Sequence, residues 1–354
     1  MLKNFWYACE FSKAVTNQPK QIVMLKQRFV LYRNSQGQVI ALKDQCPHRG
    51  AALSMGWIDN DCIRCPYHGW QFQADGRCVD IPSNAAETPI PPKARVETYP
   101  IQEKYGFVWM FYGDLPEAER PPIPPLPEYE EPGLHHLFYE YKVNTHYTRT
   151  LENSLDYAHT RVVHANSFGK GFERDQTLEQ YQINVEEFGA SSTVVIKQHS
   201  RPRGFLKFFH RSGTTDVTSK ISFYLPNINK MEGYFGGSKL VNFGIHIPID
   251  ETTTLIKRIQ FRSFFTYSWA DPIFQRSNMK ISREDAVVAE SQYPKAIPDD
   301  LTDEVHVACD AISLAYRKLR QKYLKMGWGS ESCESKSDNS NGNLVQPSSA
   351  SLVN

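Results

Sequence analysis

Two short loops, Cys46-Pro-His48-Arg-Gly50 and Cys65-Pro-Tyr-His68-Gly-Trp70, constrain this chain more than any other stretch, with sixteen residues separating His48 from Cys65. Each loop offers one thiol and one imidazole. That donor set suits a [2Fe-2S] cluster with thiolates on one iron and neutral imidazoles on the other. Two His in place of two Cys remove negative charge, which raises the cluster's potential and ties reduction to the free imidazole nitrogens. Cys2His2 also binds zinc. Zinc modules, however, pair Cys with Cys and His with His at C-x2-4-C and H-x3-5-H, whereas one residue separates Cys46 from His48.

C-P-H-R-G followed at this interval by C-P-Y-H-G-W resembles the Rieske centre of the non-heme iron oxygenases. Rieske proteins of cytochrome complexes carry an extra Cys in each ligand loop, where this chain has Ala51 and Tyr67. The resemblance is therefore to the lower-potential oxygenase type, which delivers electrons to oxygen chemistry.

With 40 basic and 39 acidic residues the chain is close to neutral, and nothing in it asks for a nucleic-acid partner. At 354 residues it has room for two domains. Seven Cys minus the two assigned to the cluster leaves an odd remainder without regular spacing, which points to a reducing compartment. No run of about 18 apolar residues is present to span a membrane. Phe5-Trp6-Tyr7 follow Met1 too closely for a targeting peptide, so a cytoplasmic location is expected.

The fold class expected is α+β. β-Branched and aromatic runs at 22–25, 29–32, 39–42 and 105–112 predict a small antiparallel Rieske domain over 1–114, its ligands on loop tips. Seven prolines within 115–133 exclude a helix or central strand and predict an extended linker. Beyond it, a strand at 138–143, a helix from His146 to about His159 and β-rich runs at 180–198, 217–225, 238–249 and 253–265 precede helices at 272–293 and 303–326. Together these predict a catalytic domain over 134–328, an antiparallel sheet covered by helices in a helix-grip-like arrangement. The Ser/Asn-rich 329–354 reads as disordered. His135-His136 reads as a strand-edge pair. The segment 201–211 joins four cations to four large apolar residues, either as a surface loop or as a lid or peripheral membrane contact.

A second metal site is suggested by Asn153-Ser-Leu-Asp156-Tyr-Ala-His159-Thr-Arg-Val-Val-His164. Five residues along an uninterrupted helix turn a side chain by about 140°, so the helix must break for His159 and His164 to face one ion. Two imidazoles and one carboxylate make the facial triad of Fe(II) oxygenases, with positions open for O2. Asp156, one turn before His159, can reach that imidazole's second nitrogen.

N-x-x-D-x-x-H-x-x-x-x-H is similar to the iron motif of the same oxygenase family, and the resemblance extends from Trp6 to about Leu324, including Glu304 to Asp310 and Tyr316-Arg317. It implies Asp285, in Arg283-Glu284-Asp285, as third ligand, with Glu284 on another face of its helix. It also implies Asn153 near the iron without binding it, and Asp156 bridging to His68 of the next subunit in a head-to-tail homotrimer. The activity implied is hydroxylation, demethylation or desaturation of a small organic substrate with O2. The chain shows no dinucleotide-binding G-x-G-x-x-G after a strand, so electrons would come from NAD(P)H through a separate flavin reductase or ferredoxin. The homotrimeric branch of vanillate demethylase and saxitoxin-pathway hydroxylases is the nearer likeness, with pheophorbide and chlorophyllide oxygenases as relatives. An electron carrier without oxygenase activity would keep the cluster and need no 134–326.

Overall fold

Ten short strands carry the first part of the chain: β1 (Phe5–Phe11), β2 (Lys20–Met24), β3 (Gln27–Arg33), β4 (Val39–Lys43), β5 (Trp57–Asp59), β6 (Cys62–Arg64), β7 (Gln71–Phe72), β8 (Cys78–Asp80), β9 (Ile101–Lys104) and β10 (Phe107–Tyr112). They form three antiparallel sheets in the orders β1-β10-β9, β2-β3-β4 and β5-β6-β7-β8. The computed structural model describes residues 1–165, 167, 178–196, 217–235 and 237–329. The 201–211 segment and the tail beyond Gly329 therefore lie outside the described residues.

A second, seven-stranded antiparallel sheet follows. Its strands are β11 (His135–Val143), β12 (Leu178–Val185), β13 (Gly189–Ile196), β14 (Val217–Tyr224), β15 (Ile228–Phe235), β16 (Ser238–Pro248) and β17 (Thr254–Arg262), in the order β11-β17-β16-β15-β14-β13-β12. Helices α1 (Tyr147–Leu155), α2 (Thr160–Val163), α3 (Asp271–Ser291) and α4 (Ala311–Tyr323) accompany it. His135 and His136 lie on the edge strand β11, and the His135 imidazole meets Asp271 at 2.9 Å.

Several sequence expectations change in detail. The run at 180–198 is a hairpin of two strands, and β1 and β15 were not anticipated. The late helix begins at Ala311 and not 303, because 301–303 and 308–310 form separate 3-10 turns and Val305 between them is 95% exposed, off any apolar face. The helix begun at 147 ends at Leu155, where the Asp156 backbone turns extended (φ −84, ψ 123).

One apolar core runs through both parts. Phe5 of β1 packs edge-on against Tyr323 at 5.6 Å, and Phe11 meets Phe138 of β11 at 5.4 Å. The proline-rich segment is packed, not free: Ile123 and Leu126 are buried, and Glu128 accepts from Lys230 Nζ at 2.9 Å within the same interior. A second apolar cluster, containing Cys46, Cys65, Ile63, Phe72 and Cys78, lies beneath the two ligand loops.

Candidate metal centres

The two ligand loops share one backbone design. Gly50 N–H donates to Cys46 O at 2.9 Å and Gly69 N–H to Cys65 O at 3.0 Å, and each glycine has φ +73. A left-handed residue closes each five-residue turn, and glycine adopts that conformation without steric cost. Side chains brace the bases of both turns. Asp44 accepts from Ser54 N–H at 2.7 Å and from Ser54 Oγ at 2.7 Å, while Arg64 donates to Gly69 O at 2.9 Å and to Asp59 and Asp80, each at 2.8 Å.

Cys46 and Cys65 are buried, whereas His48 is half-buried and His68 exposed. The His48 and His68 rings lie 4.7 Å apart between centroids, and Trp70 stacks on His48 at 4.6 Å. Burial pushes the Cys46 thiol up to about 11. A thiolate at this depth needs a cationic centre to replace its proton. His48 Nδ1 is buried without a hydrogen-bond partner. Deep thiols beneath outward imidazoles, one of them with an idle inner nitrogen, fit a [2Fe-2S] group.

The second donor set is built at a helix break. His159 and His164 stand at the two ends of the one-turn helix α2, and His164 leaves helical geometry at φ −98, ψ 18. The interruption inferred from their spacing therefore comes earlier than His159 as well as after it. One ligand atom each of His159, His164 and Asp285 lies within 4.8 Å of the others. Asp285 Oδ1 is 3.3 Å from His159 Nε2 and 3.1 Å from His164 Nε2, yet it is buried with no hydrogen bond of acceptable geometry. Donor atoms that converge without bonding one another fit a divalent ion, and two imidazoles with one carboxylate match the Fe(II) facial triad.

Burial opposes protonation of His159, but Asp156 and Asp285 outweigh it and lift its pKa to about 9. Burial likewise works against the Asp285 carboxylate, which the two imidazoles hold far below the usual carboxylate range. Asp156 Oδ2 lies 3.6 Å from His159 Nδ1, while Asp156 Oδ1 accepts the Ala158 N–H at 2.7 Å. Asn153 lines a cavity of about 10 Å³ together with Arg258 and Asp285.

Glu284 was not expected to act at the site, since it leaves α3 about 100° around from Asp285. From there its Oε2 reaches His164 Nδ1 at 2.9 Å and accepts from Ser167 Oγ at 2.7 Å. The acidic pair Glu284-Asp285 was visible in the sequence. The fold makes one acid meet the outer nitrogen of His164 and the other its inner nitrogen.

The vanillate O-demethylase oxygenase C-terminal domain matches residues 143–326, and the Rieske [2Fe-2S] domain matches residues 5–100. The chain belongs to the Rieske non-heme iron oxygenases. It is an oxidoreductase of this family, whose members pair a [2Fe-2S] cluster with a mononuclear iron and use O2 and electrons from a reductase or ferredoxin. The zinc and electron-carrier alternatives fall with these two matches.

Among curated proteins, the chain is 28% identical over 325 residues to the methylxanthine N1-demethylase of Pseudomonas putida, covering 90% of this chain and 88% of that protein. It is 28% identical over 276 residues to the 4beta-methylsterol monooxygenase of Methylococcus capsulatus, covering 75% and 68%. Identity rises to 35% with the chloroplastic chlorophyllide a oxygenase of Chlamydomonas reinhardtii, but over 178 residues, 48% of this chain and only 26% of that protein. Dicamba monooxygenase bound to dicamba shares the fold, with a TM-score of 0.76 at 20% identity over 92% of this chain and 98% of that one. No helix among the described residues is long and apolar enough to cross a membrane.

Proposed function

We propose that this Rieske oxygenase hydroxylates or oxidatively demethylates a small organic substrate, with Cys46, His48, Cys65 and His68 holding the cluster and His159, His164 and Asp285 the iron. The observation that carries the iron assignment is the convergence of those three donor atoms without hydrogen bonds among them. The proposed division is a cluster domain over 1–114, a linker over 115–133, a catalytic domain over 134–328 and a tail over 329–354. The two family matches fall within the first and third of these. Relatives named for methylxanthine, methylsterol and toluene-4-sulfonate support a small-molecule substrate without selecting one.

When bound, the cluster supplies electrons one at a time and the iron activates O2 at its open positions. The protein's own part is positioning. Glu284, steadied by Ser167, holds His164 Nδ1 and so fixes which nitrogen of that ring faces the ion. Asp156 faces His159 Nδ1 and favours its protonation, leaving Nε2 as the ligand atom. Exposed His68 and half-exposed Asp156 both suit contact with a second subunit, as a homotrimeric ring requires.

Iron analysis tests the assignment. Wild-type protein is expected to hold about three iron atoms per chain, two in the cluster and one mononuclear. His159→Ala/His164→Ala should hold about two, with an unchanged visible spectrum. Equal iron in both proteins would refute the ligand set. Light scattering of the intact protein tests the trimer, and a monomer mass would remove the Asp156–His68 bridge.

A further inference from the structure

We propose that Asn242, Gln260 and Asn278 form the subsite that reads the substrate at its end remote from the reacting carbon. It would do so through a neutral group offering one hydrogen-bond donor and one acceptor, a hydroxyl or a cis lactam. This rests on the reading of Asp285 as an iron ligand and extends it to the kind of molecule accepted.

The face of α3 turned to the sheet carries Phe274, Asn278, Ser282 and Asp285, at spacings of four, four and three residues. Opposite it, β17 presents Arg262, Gln260 and Arg258 on one side of the strand. The guanidinium of Arg262 lies 4.4 Å over the Phe274 ring, and Gln260 meets Asn278 one layer on. Asn278 and Asp285 are seven residues apart, nearly two full turns. The amide and the proposed iron ligand therefore share one face, separated by about 10 Å along the helix axis.

Gln260 Nε2 donates to Asn242 Oδ1 at 3.1 Å and to Asn278 Oδ1 at 3.0 Å, which uses both of its protons. Two atoms of this buried trio have no partner: the acceptor Gln260 Oε1 and the donor Asn278 Nδ2. The side chains are only 3% and 7% exposed, so bulk water does not serve them. A trio kept for packing alone would be better served by apolar residues, because each buried unpaired polar atom opposes folding. The two idle atoms belong to amides already bonded to each other, so they are neighbours of opposite hydrogen-bonding sense. One hydroxyl, or the N–H and C=O of a lactam, satisfies both. The amides carry no charge, and Arg262 in the adjacent layer is already paired with Asp271 at 2.5 Å. The trio itself therefore offers a carboxylate no cation.

The test uses the full chain loaded with cluster and iron, and matched neutral probes: theobromine, which has a lactam N–H, against caffeine, in which it is methylated; and cholesterol against its methyl ether. Dicamba serves as the charged control. Equilibrium binding and O2-driven reoxidation of the reduced cluster are measured for each. In at least one pair the unblocked probe is expected to bind about tenfold tighter, and Gln260→Leu/Asn278→Leu should bring that pair to parity. The variant should keep its visible spectrum and iron content and melt no lower than wild type. Gln260→Met is the second variant should the double substitution fail to fold. Equal binding within both pairs, tightest binding by dicamba, or discrimination that survives the substitutions would each overturn the subsite. The oxygenase reading fails separately, if His159→Ala keeps the mononuclear iron.

Discussion

The buried acid–base cluster that joins α1 to α4 should be the most sensitive electrostatic element of the catalytic half. Arg317 grips Glu152 with two bonds, at 2.5 and 2.8 Å, and reaches Glu304 at 2.5 Å; Arg149 holds Glu304 at 2.8 Å. Side-chain exposure decides which pair matters: 5% for Arg317 and 13% for Glu152, against 30% for Glu304. Arg317→Met leaves the Glu152 carboxylate buried with Arg149 Nη1, at 3.9 Å, as its remaining ion-pair partner among the described residues. Removing one partner of a buried pair costs about 3–5 kcal/mol, whereas replacing both by apolar residues is often nearly neutral. With a urea dependence of about 2–3 kcal/mol per M, the single variant should unfold about 1–2.5 M earlier, and Glu152→Met/Arg317→Met should recover at least half of that. The assay is urea unfolding at neutral pH followed by far-UV circular dichroism on wild type, both singles and the double. Should the double lose the sum of the two singles, the pair is not coupled and the reasoning fails. Because α1 leads directly to Asp156 and His159, the single variant should also lose mononuclear iron before the cluster.

Acid should weaken the same helix through its cap. His146 Nδ1 sits 2.8 Å from Thr148 Oγ1 at the start of α1, and burial holds its pKa at about 4. The unfolded chain takes up the proton near 6.5 and the folded one does not. Stability is therefore complete above about 6.5 and falls by roughly 3 kcal/mol as pH drops to about 4. Urea midpoints of His146→Asn across this range should show a shallower slope, since Asn caps without titrating; an unchanged slope would exclude His146 as the source. Glu284→Ala removes the carboxylate that meets His164 Nδ1 and should weaken Fe(II) binding about 10- to 100-fold with the cluster spectrum intact, as measured by metal titration. Gly76 and Gly37 make a matched pair, both left-handed at φ +82 and +80, but a Cβ on Gly76 would lie 2.0 Å from Val96 O while Gly37 faces open space. Thermal melts should show Gly37→Ala costing about 1–2 kcal/mol and Gly76→Ala distinctly more.

The two Cys/His loops were readable because each keeps its proposed ligands within five consecutive residues, closed by a local turn. His159 and His164 were readable together with their helix break, since geometry forbids one ion on a continuous helix at that spacing. The β2–β3 hairpin is different. Its turn is Leu25-Lys26, both left-handed at φ 56 and 62 and without turn chemistry in their side chains. The turn is held by backbone bonds from Leu25 N–H to Pro248 O and from Lys26 N–H to Ile249 O, more than two hundred residues away.

The same division holds for function. The sequence by itself singled out the proposed ligands: the two Cys/His loops and the pair His159 and His164 through their local spacing, and Asp285 through its likeness to the oxygenase motif. Only the tertiary structure decided that Glu284 would hold His164 from a different helix face, that Glu128 of the proline-rich segment would be buried against Lys230, and that Gln260 and Asn278 would meet in line with Asp285. Those contacts join residues from 18 to 120 positions apart. Their distances are set by how α3 and the proline-rich segment lie against the sheet, and no local pattern of residues encodes that placement.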